Sequence, residues 1–552
     1  MVDRALRARV EAWQAQDPDP VTVAEADSLL AAGDEIALRD RFDHRLRFGT
    51  AGLRGALGAG PNRMNRVVVR RAAAGLAAWL DASGRSGPVV VGRDARHGSE
   101  VFAVDSARVL AGAGRRVFVV PDPCPTSLVA YAARALEAPA AVMVTASHNP
   151  PGDNGYKVFA DGAAQIAPPL DDEIAAAIDD AGPADRLPLA APDAPAIEAL
   201  PASVEDRYLT GIAALRCAPD APPVRVAYTP LHGVGTAFLR RAFATSGLGE
   251  PDVVAQQAEP DPDFPTVPFP NPEEPGAMDL VLGLAAELGA DLALANDPDA
   301  DRLAVAVPSD GGWRVLTGDE VGVLLADHLL SHGSGPDRLV ATTVVSSSML
   351  SSIAAAHGVH FVETLTGFKW LVRAAMARPE LTYVLGYEEA LGYGVGDLVR
   401  DKDGISAAVI VTELVAELAA RGSSVPQRLD ELAREFGVHH TMQWSKRFEG
   451  PGGAEVMASR VDALRVSPPS MLGDRTVERV EDLARGERLP PTDALVLHVR
   501  GARATVRPSG TEPKLKVYLE IIEFVSGEAA DARVRAAALG DAVLADLAAL
   551  LG

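Results

Sequence analysis

Hydrophobic positions in most of this chain fall in short unbroken runs instead of alternating with polar ones. Val89–Val91, Val117–Val120 and Ala141–Val144 are apolar throughout, and a helical stretch runs from beyond Gly92-Arg93-Asp94 to Leu110. Such runs suit strands covered on both faces, and their alternation with helices predicts a parallel sheet in a doubly wound α/β layer. The theme restarts after the Pro/Ala/Asp-rich stretch Ala181–Pro201, with a strand at Val224–Tyr228, a loop at Pro230–Gly235, a helix at Ala237–Ala244 and a buried strand at Leu292–Ala295. It starts a third time at Leu339–Val345, after His332–Pro336, with a later strand at Tyr383–Leu385. The end of the chain differs. Ala494–Val499, Arg503–Val506 and Leu515–Ile521 nearly alternate, with breaks at Gly501 and Pro508–Pro513, which predicts an antiparallel meander. An Ala/Leu-rich helix, Ala529–Leu551, follows. The expected fold is therefore α/β, with three similar doubly wound α/β domains (1–210, 211–318 and 319–440) and a smaller C-terminal α+β domain (441–552). Residues 1–46 are helical in character, and the six prolines of Pro262–Pro275 mark a surface loop.

Length agrees with that division, because 552 residues at roughly 150 per domain give three to four domains. Lys+Arg 52 against Asp+Glu 75 gives a formal charge of −23, which argues against nucleic acid and anionic membrane as partners but leaves room for a local basic pocket. Two cysteines, Cys124 and Cys217, are too few for a disulfide framework or a multi-cysteine metal site. The start carries three arginines by Val10 with no apolar stretch behind them, and no run approaches the ~18 apolar residues of a membrane span. These features predict a cytoplasmic protein.

Four polar loops bear chemistry. Thr145-Ala-Ser-His-Asn-Pro-Pro-Gly-Asp-Asn-Gly-Tyr-Lys157 follows the Ala141–Val144 strand. Ligands sit beyond the carboxyl ends of strands in open α/β sheets, so Ser147 is a candidate nucleophile and Lys157 a nearby cation of that loop. A turn before two prolines is the plainer reading; an esterase is disfavoured because the G-x-S-x-G elbow is absent. His148, the next residue, pins the loop without being required as a base.

Asp297-Pro-Asp-Ala-Asp-Arg302 follows Leu292–Ala295, and its three alternate carboxylates can converge on one hard cation, Mg²⁺ or Ca²⁺. An EF-hand is rejected, since Arg302 stands at the sixth position and Pro308 at the twelfth. In Gly386-Tyr-Glu-Glu-Ala-Leu-Gly-Tyr393, Glu388 and Glu389 either read sugar hydroxyls or sit at a helix N-terminus. Arg507-Pro-Ser-Gly-Thr-Glu-Pro-Lys514 reads equally as a phosphate cradle or as a tight turn. Arg54, Lys157, Arg302, Lys369 and Arg507 lie in or beside such loops, which would give a cationic cleft in an acidic protein.

With these motifs in this order, and with Phe48-Gly-Thr-Ala-Gly-Leu-Arg-Gly55 ahead of them, the chain closely resembles the α-D-phosphohexomutase family of phosphoglucomutases and phosphomannomutases from Phe48 onward. It looks most like the larger, phosphoglucomutase-2-like branch that includes phosphopentomutases. The resemblance implies four domains around a central cleft. It implies a phosphorylated Ser147, with Mg²⁺ held by Asp297, Asp299, Asp301 and an oxygen of that phosphoserine. Arg54 and Lys157 would stabilise transferring charge or assist proton transfer. Glu388 would orient ring hydroxyls. Arg507, Ser509, Gly510 and Thr511 would grip the phosphate that is not reacting, and His148, Arg302, Thr366, Gly367 and Lys369 would complete the lining.

The implied reaction interconverts a hexose 1-phosphate and 6-phosphate through a sugar 1,6-bisphosphate, which also serves as activator. The partner is a small phosphosugar and the protein a monomer or homodimer. Ala390 stands where many glucose/mannose mutases have Ser, and Tyr393 near a position some mannose-using relatives fill with His, which leaves the sugar open. Glucose is preferred, with pentose and mannose phosphates as near alternatives. A sugar phosphatase using the same phosphoserine and a non-catalytic phosphosugar-binding protein are the readings from other classes.

Overall fold

The computed structural model describes every residue except Met1, Thr50, Ala51, Asp310, Pro451 and Gly510–Pro513. The chain forms two compact units. One holds Met1–Pro219, Pro223–Val315 and Tyr393–Glu413; the other holds Asp220–Pro222, Leu316–Gly392 and Leu414–Gly552.

In the first unit, residues 1–46 supply the helices Arg4–Gln14, Pro20–Ala32 and Glu35–Phe42. Their own small core forms around Leu6, Val10, Trp13, Leu38 and Phe42. The first sheet runs in the order Leu53–Ala56, Asp153–Ala160, Ala140–Val144, Val89–Arg93, Val117–Val119, Ile197–Ala199. Its centre is parallel, as the apolar runs predict. Asp153–Ala160 and Leu53–Ala56 pair antiparallel at one side. Lys157 and Arg54 therefore sit on strands and not in loops. The sequence gives little sign of this, because Asp153–Ala160 carries polar side chains that are nonetheless buried at Asn154 and Lys157. The second sheet runs Gly312–Val315, Ala304–Ser309, Leu292–Ala295, Val226–Thr229, Asp252–Val253, again with a parallel centre and antiparallel strands at one edge. Its first strand begins at Val226, two residues beyond the predicted start.

The second unit contains the parallel strands His360–Thr364, Arg338–Thr343 and Thr382–Glu388, in that spatial order. It also contains a six-stranded antiparallel sheet ordered Val438–Arg447, Lys514–Glu523, Ala502–Pro508, Leu495–Val499, Arg475–Asp482, Met471–Leu472. The predicted meander is its middle, and the helix Ala529–Leu551 shares its core through Ala532, Ala536, Val543 and Leu547.

Strand order fixes where ligands can go. Val89–Arg93 lies between Val117–Val119 and Ala140–Val144, so chain direction reverses between the first and the last of these three. The same reversal falls between Val226–Thr229 and Leu292–Ala295, and between Arg338–Thr343 and Thr382–Glu388. Crevices at such reversals, beyond the strand carboxyl ends, are where open α/β sheets bind ligands. Thr145–Lys157, Asp297–Arg302 and Glu388–Glu389 each open at one of them.

Candidate active site

The site is built from the strand ends outward. Ala140–Val144 is buried at every position, and the chain leaves it through Thr145 into Ser147, whose φ of 52° is left-handed. A serine rarely adopts that conformation unless its surroundings impose it. Here Thr145 Oγ1 accepts from the Ser147 amide at 2.9 Å. The buried Arg96 guanidinium donates to the carbonyls of Ser147 at 2.6 Å, Asn149 at 2.6 Å and Pro150 at 2.8 Å. Asp94 lies 3.4 Å from Arg96 and accepts from the Arg96 amide and from Ser99 Oγ. Close backbone approach is required at Gly155, where a Cβ would stand 2.5 Å from the Thr145 carbonyl oxygen.

The acidic loop is held as firmly. Ala300 is left-handed at φ 52°, and its amide donates to the Asp297 carbonyl at 2.8 Å. Asn296 Nδ2 donates to the Arg302 carbonyl at 2.5 Å, and Tyr228 donates to Asn296 Oδ1 at 2.8 Å. From the first sheet's layer, Thr126 gives its amide to the Asp299 carbonyl at 3.0 Å and its hydroxyl to Asp299 Oδ2 at 2.7 Å. Gly404 closes the far side, since a Cβ there would meet the Arg302 carbonyl oxygen at 2.3 Å.

These two loops meet. Ser147 Oγ donates to Asp297 Oδ2 at 2.7 Å, and His148 Nδ1 lies 3.1 Å from the same hydroxyl oxygen. Lys157 Nζ donates to Asp299 Oδ2 and Asp301 Oδ2, each at 2.7 Å, and Lys402 Nζ stands 3.2 Å from Asp301 Oδ2. Arg302 Nε is 4.0 Å from Asp297 Oδ2, and its amide donates to Asp297 Oδ1 at 3.0 Å. Ser147, Lys157, His148, Arg302 and the three aspartates thus gather in the first unit, and Arg54 lies near enough to feel the charges of Asp299 and Asp301.

Three buried carboxylates with oxygens within 4.8 Å of one another repel strongly. At an effective dielectric of about 20 each pair costs about 3–4 kcal/mol. The electrostatics follow. Burial, with Asp299 and Asp301 beside it, pushes Asp297 well above the usual carboxylate range. Burial would raise Asp299 too, but Lys157 outweighs it and holds this carboxyl very low. Asp301 is also lowered, burial being overcome chiefly by Lys157 and Lys402. Burial works against the Lys157 ammonium, yet Asp299 and Asp301 keep its pKa raised. Burial, with Arg302 and Arg54 nearby, drives His148 well below the ordinary histidine range, so its imidazole is neutral at pH 7.

Lys157 and Lys402 do not satisfy the whole cluster. Asp299 Oδ1 and Asp301 Oδ1 are buried with no hydrogen-bond partner among the described residues. Orphaned, all-oxygen donors beside a protonatable third acid fit a hard divalent cation. The triad can hold a metal ion.

The second unit assembles a different set. Glu388 ends the Thr382–Glu388 strand, and its Oε1 accepts from the Gly367 amide at 2.9 Å. Gly367, at φ 111°, precedes the helix Phe368–Met376, whose first turn carries the buried Lys369. Arg507 Nη1 donates to Thr366 Oγ1, and the Ser509 amide donates to the Lys514 carbonyl at 2.7 Å. Glu389 Oε2 accepts from Ser346 Oγ at 3.2 Å and Thr343 Oγ1 at 3.3 Å. The two glutamates do not open a helix: the chain turns there and enters the strand Gly392–Val395. Gly510 and Thr511 lie outside the described residues.

Sequence reasoning passed over Arg96, Asp94, Thr126, Lys402 and Gly404. Asp401-Lys-Asp-Gly404, an acid–base–acid run just before an apolar helix, was a signal available for the last two.

Four family models match the chain in series. The phosphoglucomutase/phosphomannomutase alpha/beta/alpha domains I, II and III match residues 45–184, 206–311 and 317–436, and the phosphoglucomutase/phosphomannomutase C-terminal domain matches 472–536. A Haemophilus influenzae protein named probable phosphomannomutase is 42% identical over 463 residues, 83% of this chain and 93% of that one. A phosphopentomutase of Mus musculus is 35% identical over 94% of this chain and 91% of its own. Among solved structures, a phosphoglucomutase/phosphomannomutase family protein of Burkholderia thailandensis shares the fold with a TM-score of 0.69 at 20% identity, over 91% of this chain and 97% of that one.

Proposed function

This chain belongs to the phosphoglucomutase/phosphomannomutase family, and from that premise we propose that it is a phosphosugar mutase interconverting hexose 1-phosphate and hexose 6-phosphate, with glucose preferred. Ser147 carries the phosphoryl group. A free sugar hydroxyl attacks its phosphorus, the P–Oγ bond breaks, and the hydroxyl proton ends on Ser147 Oγ. The resulting sugar 1,6-bisphosphate presents its other phosphate, and Ser147 Oγ takes that group by the reverse chemistry. Added bisphosphate recharges any Ser147 that has lost its phosphoryl group.

Arg54 and Lys157 neutralise charge around the moving group. A Mg²⁺ ion held by Asp297, Asp299 and Asp301 would supply further charge neutralisation on the phosphoryl oxygens. In the second unit, Glu388 suits the reading of ring hydroxyls, and Arg507 with Ser509, Gly510 and Thr511 suits the phosphate that is not reacting. In the first unit His148 and Arg302, and in the second Thr366, Gly367 and Lys369, are the remaining residues suited to contacting a phosphosugar. Neither Cys124 nor Cys217 forms a disulfide among the described residues, which suits a reducing cytoplasm. No described helix is long and apolar enough to cross a membrane.

The contact between Ser147 Oγ and Asp297 Oδ2, inside a cluster fit for a metal, is the observation that supports this reading most directly. The test is turnover of glucose, mannose, ribose and deoxyribose 1-phosphates with Mg²⁺ and a trace of bisphosphate. Glucose 6-phosphate should form fastest. Release of inorganic phosphate without isomerisation would show a phosphatase instead. Faster turnover of ribose 1-phosphate would favour a phosphopentomutase, the second reading, which the near full-length match to the mouse protein supports.

A further inference from the structure

The helix Gly318–His332 carries two histidines one turn apart near its end, and Glu417, on the helix Gly404–Ala420, faces both. His328 Nδ1 lies 3.2 Å from Glu417 Oε2, and His332 Nε2 lies 3.0 Å from Glu417 Oε1. The two rings are 4.7 Å apart between centroids. His332 Nδ1 also lies 2.9 Å from the His328 carbonyl oxygen. A carbonyl only accepts, so this nitrogen bears the hydrogen. In the neutral ring, the His332 Nε2 lone pair then points at a carboxylate oxygen that has only lone pairs to offer. That arrangement requires a cation between them. A proton would serve His332 alone, whereas a metal ion would serve both histidines and the carboxylate together.

The dimensions fit the metal. Zinc bonds of about 2.0–2.2 Å at tetrahedral angles separate ligand atoms by about 3.3 Å, close to the two contacts here. Two imidazoles and a carboxylate form the donor set of open zinc sites, unlike the all-carboxylate Asp297–Asp301 cluster. His328 is buried and Glu417 mostly so, while His332 is 23% exposed, leaving one side open. That side gives onto a cavity of about 330 Å³ that Ser331 and Ser423 help to line, with room for a water ligand. Of the neighbouring guanidiniums, Arg428 is committed to Asp327 and Glu431. Arg421 Nη2 donates to Glu417 and competes with a metal, but its side chain is 65% exposed and can swing into solvent. We propose that His328, His332 and Glu417 form a binding site for a divalent transition-metal ion of the zinc class, which fastens the end of one helix to the other.

The test uses full-length protein stripped by chelation, saturated with Mg²⁺ to fill the acidic triad, and titrated with Co²⁺. Visible bands of a nitrogen-containing, low-coordinate Co²⁺ site should appear, saturate at one ion per chain and vanish when Zn²⁺ is added. His332→Gln and Glu417→Gln should each weaken that binding by more than about tenfold. Arg421→Ala should tighten it. Far-ultraviolet circular dichroism in Mg²⁺ alone reports whether each variant is folded. Absence of the bands in Mg²⁺-saturated wild type, or their survival in folded His332→Gln, would overturn the assignment and leave a proton as the bridging cation.

Discussion

Ser147 Oγ donates to Asp297 Oδ2 at 2.7 Å although the two residues stand 150 positions apart in the chain. A hydroxyl that close to the acidic triad is where a carried phosphoryl group would gain from the charge of a cation those acids could hold. Protein isolated in Mg²⁺ should therefore contain a fraction one phosphoryl group heavier, with the added mass on Ser147. Ser147→Ala should lose that species and at least about 10³-fold in turnover while its circular dichroism is unchanged. Full activity in the alanine variant would end the phosphoserine account.

The acidic triad makes a separate demand. Chelation should abolish turnover, and Mg²⁺ should restore it. Asp299→Asn should lower kcat by about two orders of magnitude or more, in line with the several kcal/mol a bound metal contributes to charge stabilisation, and should raise the Mg²⁺ concentration for half-activation. A wild-type rate indifferent to chelator would remove the metal from the mechanism.

Arg96 touches no described acidic-triad oxygen by hydrogen bond, yet it fixes three carbonyls around Ser147. Lysine can supply the charge but not the planar fork. Arg96→Lys should reduce kcat by about 10²-fold, the scale of a small misplacement of a reacting group, with KM little changed. Arg96→Ala leaves Asp94 buried and uncompensated, which should cost about 3–5 kcal/mol in chemical denaturation. A rise in KM with kcat unchanged in the lysine variant would point to substrate binding instead.

Asp319 gives the second unit a pH signature. Burial pushes its carboxyl up to about 6 from 3.8, despite the Ser347 amide donating to it. A folded-state pKa above the unfolded one means the native protein holds the extra proton between those values. Stability from this group therefore falls as pH rises from about 4 to about 6 and stays lower above, by about 3 kcal/mol. Glu520 works oppositely. Burial alone would raise it, but its bond with His439 and the charge of Arg503 hold it at about 2, so its contribution is present above 4.5 and lost as pH falls toward 2. Asp319→Asn should be more stable than wild type at pH 7, with the advantage gone at pH 4. Denaturation midpoints at the two pH values measure it; parallel curves would show that Asp319 ionises freely.

Much of this was legible because buried parallel strands advertise themselves as unbroken apolar runs, and the loops after them had to lie at the sheet's carboxyl edge. Ser147, the aspartates and Glu388 were placed at strand ends that way. Lys157 was recognised as a cation but misplaced in a loop, since a strand carrying Asn154 and Lys157 looks solvent-facing until Asp299 and Asp301 arrive from the second sheet. Arg96 and Thr126 were invisible for the same reason: their partners lie 51 and 173 residues away. The strands Val438–Arg447 and Arg475–Asp482 were missed because both carry exposed polar residues, Gln443 and Ser445 on the first and Glu478 and Arg479 on the second, and neither has an unbroken apolar run. The alternation in Thr441-Met-Gln-Trp-Ser was a mark of the first.

Gly404 packs against the Arg302 carbonyl, and Lys402 reaches Asp301, from a stretch that belongs to the first unit but is encoded after the parallel strands of the second. During synthesis the carboxylate loop consequently waits, one wall missing, until about 404 of 552 residues have been translated. A nascent chain released before that point would carry all three acids and the serine, yet could not finish the chamber that contains them.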